Sequence, residues 1–267
     1  MTRLLTLLAA ALVLVLAASA AAHPANISTR GAEAKPTIVL VHGAWADSSS
    51  WSKVVRRLQA HGYTVDVPPN PLRGLASDSA YVASFVNAIS GPVVLVGHSY
   101  GGAVITNAAT TTPNVKALAY VNAFAPDQGE SILQLVTAQP GSALAANPAD
   151  VFDVVPFAGG ADLYIKPSLF PQAFANDLPA KKAAVLAATQ RPLAANAASD
   201  ASGAPAWKTL PSWYFVGAAD RVLPPAEQRF MAARMHAHTV EADASHLSMI
   251  SQPEQVTKLI LDAARSA

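Results

Sequence analysis

The chain contains no cysteine. That excludes disulfides, a thiol nucleophile, thiolate-bound zinc and a lipid-bearing N-terminal cysteine. Charge is scarce as well: Asp, Glu, Lys and Arg make up 13% of 267 residues, and the formal net charge is +1. Arg3 is the only charged residue in the first 22, and beyond it the chain balances at 17 basic and 17 acidic residues. No basic patch or acidic run is present to attract nucleic acid or an anionic surface, so neither is expected as a partner. Aromatic residues are few, at 7%, yet hydrophobic residues reach 52%. Such a composition is not that of a disordered chain, and the length suits one large domain with room for an insertion.

Long hydrophobic runs are also missing, apart from residues 4–18, which are almost entirely Leu, Val and Ala. This run follows Arg3 and ends in Ala18-Ser19-Ala20, a small-residue cleavage pattern. Residues 1–22 therefore read as a signal peptide cut after Ala20 or Ala22, with a retained anchor as the alternative. The mature chain is expected to be exported, secreted or periplasmic, with no stable membrane association once the leader is gone. Residues 23–36, with Pro24, Gly31 and Pro36, read as a linker.

What is present from residue 37 onward is an alternation of short apolar runs and helical periodicity. Thr37–Val41, 63–67, 93–96 and Val115–Val121 read as strands, and 50–61, 76–89 and 100–111 as helices. Strands separated by helices imply an α/β fold, with a mostly parallel sheet covered on both faces. Over residues 127–210 the alternation fails. The stretch is rich in Ala and Pro, with helix-like pieces such as 180–189. Because a structureless loop of that length is unusual in a compact domain, it reads as a mostly helical cap. The pattern resumes with strands at 212–216 and His238–Ala242 and helices at 225–236 and 252–264. The α/β core thus comprises residues 37–126 and 211–267.

The stretch with most chemical content is Gly97-His98-Ser99-Tyr100-Gly101, set between the strand at 93–96 and the helix that follows. G-x-S-x-G in that context places a serine on a sharp strand-to-helix turn, where side chains on the flanking glycines would collide with backbone. The turn lifts Ser99 to the carboxyl edge of the sheet and to a helix N-terminus, which favours developing negative charge.

A serine hydroxyl needs a base to take its proton, and the base needs a carboxylate to hold its tautomer. In this type of fold the order along the chain is Ser, then Asp or Glu, then His, each after a strand. Ser99, Asp220 and His246 meet that order. Asp127 and Asp243 are rival acids, the second reading better as a turn-former. Of the other histidines, His42 is assigned to holding its loop. His98 is expected to point away from Ser99 and pack, and His61, His236 and His238 read as structural. The oxyanion donors are assigned to the backbone N–H groups of Tyr100 and Ala44. Trp45 and Tyr100 flank those loops and are the candidates for the substrate pocket. Phe152, Phe157, Leu163, Tyr164, Phe170 and Phe174 are the large side chains available in the cap.

From about Lys35 onward the chain resembles the α/β-hydrolase superfamily, and within it the branch of plant methylesterases and hydroxynitrile lyases. The resemblance is carried by Val41-His42-Gly43-Ala44-Trp45, Ser50-Trp51, Gly97 to Gly102, Asp220-Arg221, Leu223-Pro224-Pro225 and Ser245-His246. It implies a Ser99–His246–Asp220 triad that works through an acyl-enzyme, needs neither metal nor organic cofactor, and acts on a small-molecule ester. The lyase members carry a hydroxylated residue after the strand-end histidine and a lysine beside the catalytic histidine, where this chain has Gly43 and Leu247. The esterase side is therefore preferred. A carbon–carbon lyase of the hydroxynitrile type and a cofactor-free haloperoxidase or perhydrolase activity are the alternatives.

Overall fold

The computed structural model describes residues 35–267. The leader and most of the linker assigned above lie outside the described residues. Nine strands are present among them: β1 (Thr37–Val41), β2 (Val65–Asp66), β3 (Val93–His98), β4 (Val115–Val121), β5 (Phe152–Phe157), β6 (Gly160–Ile165), β7 (Leu193–Ala194), β8 (Ser212–Gly217) and β9 (His238–Ala242). Six form one sheet in the order β2-β1-β3-β4-β8-β9, with every neighbouring pair parallel. The strand expected at 63–67 shortens to the two residues of β2 at the sheet edge, where neither is fully buried.

The inner strands form for the reason their sequences suggest. Val93–Val96, Val39–Val41 and Leu118–Val121 are continuous apolar runs, and all are fully buried. A parallel sheet covered on both faces needs such runs. Helices Ser52–Ala60 and Pro253–Arg265 pack on one another, as do Leu75–Asn87 and Tyr100–Ala108, and the two pairs sandwich the sheet. No helix among the described residues is long and apolar enough to cross a membrane.

The chain moves from β1 outward to β2, then returns past β1 to β3. The strand order therefore reverses between β1 and β3, and the loops leaving them diverge to open a crevice at their carboxyl ends. Ala44 leaves β1 and Ser99 leaves β3, so both sit at that crevice.

Between β4 and β8 lies the insertion expected to form the cap. It holds short helices, among them Ile132–Ala138, Phe170–Phe174 and Ala180–Ala188. It also holds a feature the sequence reading did not anticipate, an antiparallel three-stranded sheet in the order β5-β6-β7. Its β5–β6 hairpin turns through Ala158-Gly159, with Gly159 at φ 88°. β5 is an edge strand, which is where a residue without an N–H such as Pro156 is tolerated.

Candidate active site

Ser99 has φ 52° and ψ −125°, a conformation that L-residues rarely adopt. The surrounding backbone enforces it. A Cβ on Gly97 would lie 2.5 Å from Gly101 O, and one on Gly101 would lie 2.5 Å from Val41 O. The helix Tyr100–Ala108 therefore approaches β1 and β3 too closely for any side chain at either position. The turn that results holds Ser99 at the helix N-terminus, 1% exposed.

The ends of β3, β8 and β9 bring three distant side chains together. His246 Nε2 lies 2.9 Å from Ser99 Oγ, and His246 Nδ1 lies 2.8 Å from Asp220 Oδ2. With the carboxylate accepting from Nδ1–H, Nε2 presents a lone pair to the serine hydroxyl, as a proton acceptor must. The rival acids are elsewhere. Asp127 pairs with Lys208 at 2.6 Å, which holds its carboxyl below the usual range, and Asp243 is exposed.

Asp220 is held by more groups than its sequence context suggests. Its Oδ1 accepts from the N–H groups of Val222 (2.8 Å) and Leu223 (3.0 Å). Its Oδ2 accepts from Asn122 Nδ2 (3.0 Å) and Gln228 Nε2 (2.8 Å) as well as from His246. Asn122 and Gln228 are partners of Asp220 that the sequence reading missed. Asn122 follows β4 with φ 46°, an αL position that suits asparagine, and also donates to Ser245 O at 3.2 Å. Gln228 ties that carboxylate to two backbone groups, donating to Leu223 O at 2.8 Å and accepting from Gly217 N at 3.1 Å.

His246 is fixed through its backbone. Its carbonyl accepts from His98 Nε2 at 2.8 Å, and the preceding Ser245 N–H donates to Asp177 Oδ2 at 2.9 Å. The His98 ring lies 4.8 Å from the His246 ring, centroid to centroid, and Phe174 meets the other side edge-on at 5.2 Å. His98 thus points toward the partner of Ser99, a tighter involvement than the packing role expected from sequence. Burial, and then the neighbouring His246, push the His98 pKa well below the ordinary value. His42 does hold its loop. Its Nε2 accepts from Asn70 N–H at 3.0 Å, so its proton sits on Nδ1, which donates to Gly43 O at 2.9 Å. Burial pushes its pKa down to about 4.

The N–H groups of Ala44 and Tyr100 have no acceptor among the described residues, whereas Trp45 N–H donates to Arg191 O at 2.9 Å. Tyr100 is the first residue of its helix, where a backbone N–H has no intrahelical acceptor. These two N–H groups flank Ser99 from β1 and β3. Above them opens a cavity of about 250 Å³, bordered by Ala44, Trp45, Ser99 and Tyr100 from the core and by Phe152 and Leu163 from the cap. Of the other large cap residues named from sequence, Phe174 packs on Trp45 at 5.5 Å and Phe170 stacks on Phe174 at 4.8 Å. Phe157 is 43% exposed, and Tyr164 borders a separate surface groove. Among the described residues no group of three or more His, Asp or Glu side chains is placed to hold a metal ion.

Comparison with known proteins agrees with this fold. The sequence profile of the alpha/beta hydrolase family matches residues 38–259. A carbendazim hydrolyzing esterase from Nocardioides sp. (strain SG-4G) is 32% identical over 111 residues, 37% of this chain and 46% of that protein. The chain therefore spans less than half the length of that relative. Methylesterase 18 of Arabidopsis thaliana is 26% identical over 255 residues, covering 85% of this chain and 97% of the relative. Among solved structures, an extracellular alpha/beta-hydrolase from a Paenibacillus species superposes with a TM-score of 0.72 at 20% identity. It covers 86% of this chain and 99% of its own, a likeness of fold.

Proposed function

The chain belongs to the alpha/beta hydrolase family, and from that premise we propose that it is a serine carboxylic ester hydrolase acting on small to medium, uncharged, mostly apolar esters. The observation that carries the reading is the unbroken relay from Ser99 Oγ through His246 to Asp220, with links of 2.9 and 2.8 Å. The esterase names of the two curated relatives support it.

In this mechanism Ser99 Oγ attacks the ester carbonyl as His246 Nε2 takes its proton. Asp220 holds the imidazole in the reactive tautomer and stabilises its charged form. The oxyanion is received by the N–H groups of Ala44 and Tyr100, which are already aimed and so need no reorganisation as charge develops. His246 then protonates the departing alcohol, and water repeats the sequence on the acyl-enzyme. Every step uses groups that this chain supplies.

The lyase alternative is disfavoured at two positions. Leu247, beside His246, is buried and offers no positive charge to a departing cyanide. A Cβ on Gly43 would lie 2.6 Å from Ser99 Cβ, so a hydroxylated side chain after His42 would displace the nucleophile. We further propose that residues 1–22 direct the chain to export.

Fluorophosphonate labelling with p-nitrophenyl ester hydrolysis tests the reading. The protein is expected to label at Ser99 and to release p-nitrophenol, and Ser99→Ala to lower kcat by at least about 10³-fold. Undiminished turnover in Ser99→Ala sinks the proposal.

A further inference from the structure

The wall of the cavity above Ser99 differs in kind from its floor. Ile132, Val136, Leu144, Phe152, Leu163 and Val222 are among the residues that form it. Besides Ser99, only Trp45 and Tyr100 among the bordering side chains carry polar atoms, and both are engaged elsewhere. Trp45 Nε1–H donates to Leu163 O at 2.7 Å, and the Tyr100 hydroxyl donates to Asp78 Oδ2 at 2.8 Å. Among the bordering side chains, Ser99 is therefore the one with a polar atom left to meet a reacting molecule, and it lies at the floor with the relay and the oxyanion donors.

Such a wall discriminates between acyl acceptors. It offers no side-chain partner to a water, but it rewards an alcohol for every carbon it carries. Each methylene removed from water favours occupancy about fourfold, so a four-carbon alcohol gains about two-hundredfold. That brings a sub-molar alcohol level with bulk water. The cavity of about 250 Å³ is many times the space that one water molecule needs, so it takes a short acyl group and a short alcohol together.

We propose that small apolar alcohols also intercept the acyl-enzyme, so that the protein transfers acyl groups from ester to alcohol in aqueous solution. This rests on the serine-esterase reading above. The alcohol oxygen bonds to the acyl carbonyl carbon while His246 Nε2 takes the hydroxyl proton. The tetrahedral intermediate collapses by breaking the bond between that carbon and Ser99 Oγ, and His246 returns the proton to Oγ. A new ester leaves, Ser99 is restored, and nothing is oxidised or reduced.

The test incubates the full chain with p-nitrophenyl butyrate and graded sub-molar 1-butanol or ethanol, then quantifies p-nitrophenol, butyric acid and the new ester by gas chromatography. Butyl butyrate is expected to take at least a tenth of the released acyl groups, and severalfold more than ethyl butyrate at equal alcohol concentration. Val136→Thr, which keeps the side-chain shape but adds a hydroxyl to the wall, is expected to lower the ester-to-acid ratio severalfold. Recovery of all acyl groups as acid at every butanol concentration, or equal transfer to ethanol and butanol, overturns the proposal while leaving the esterase intact. No p-nitrophenol release from the unaltered chain defeats the esterase reading instead. Ser99→Ala is expected to abolish both products.

Discussion

At the scale of single residues, the demanding task is holding a carboxylate in the interior. Asp220 is 3% exposed and accepts five hydrogen bonds, so its charge is met by N–H donors instead of water. Gln228 is the most exacting of these partners because its amide serves Asp220, Leu223 and Gly217 together. Gln228→Leu keeps the volume but strands the Gly217 N–H and removes a donor from the carboxylate. The expected result is a loss of about 2–3 kcal/mol in chemical denaturation and a fall in kcat of about tenfold, with KM nearly unchanged. A variant that loses stability but keeps full kcat shows that Gln228 only supports the fold. The triad itself was legible because its members follow strands in a fixed order. Gln228 and Asn122 were not. A glutamine inside a helix with Glu227 and Arg229 as neighbours resembles a solvent-facing residue, and nothing local marks the αL turn at Asn122.

At the scale of elements, the loop after β1 does two jobs, presenting Ala44 and fastening the cap. Trp45 has φ 56°, so its ring leaves the loop toward the insertion. There it stacks on Phe152 at 5.9 Å, meets Phe174 edge-on at 5.5 Å, and donates to Leu163 O in β6. Trp45→Phe removes the hydrogen bond to a half-buried carbonyl, with an expected loss of about 1 kcal/mol. Trp45→Ala also removes the ring, with an expected loss of about 3–5 kcal/mol. It enlarges the cavity, so the preferred acyl chain in a p-nitrophenyl ester series is expected to lengthen. An unchanged preference in a folded Trp45→Ala protein would show that the ring does not bound the substrate. The core strands were readable because burial on both faces demands continuous apolar runs. The cap sheet was not, since β5 leaves Val154, Val155 and Phe157 exposed at 58, 49 and 43% and contains Pro156. Pro156 interrupts the short apolar run there, no alternation survives, and the surrounding alanines favour a helical reading.

At the scale of the whole molecule, the crevice is bounded by histidines kept neutral by burial, which ties the fold to pH. His42 joins the β1 loop to Asn70, and His98 joins the end of β3 to the loop after β9. In the folded chain His42 titrates at about 4 and His98 well below its ordinary value, whereas an unfolded chain binds these protons near pH 6.5. Between those limits the unfolded state holds more protons, so stability rises with pH and is lost as the solution is acidified from about 6.5 toward 4. His42 alone accounts for on the order of 3 kcal/mol across that interval. Carboxylates paired with arginine act lower. Glu130, whose pKa the bound Arg234 depresses, gives up its contribution only as pH falls below the usual glutamate range. The melting temperature is therefore expected to decline in two stages, the first beginning near pH 6.5 and the second where the arginine-paired carboxylates titrate. His42→Asn is expected to melt lower than the parent near pH 8 but with a shallower decline from 6.5 to 4.5. Calorimetric scans at half-unit pH intervals decide it: a parent protein whose melting temperature stays level from pH 7 to 4.5, or a variant that keeps the parent's slope, removes the buried histidines as the cause.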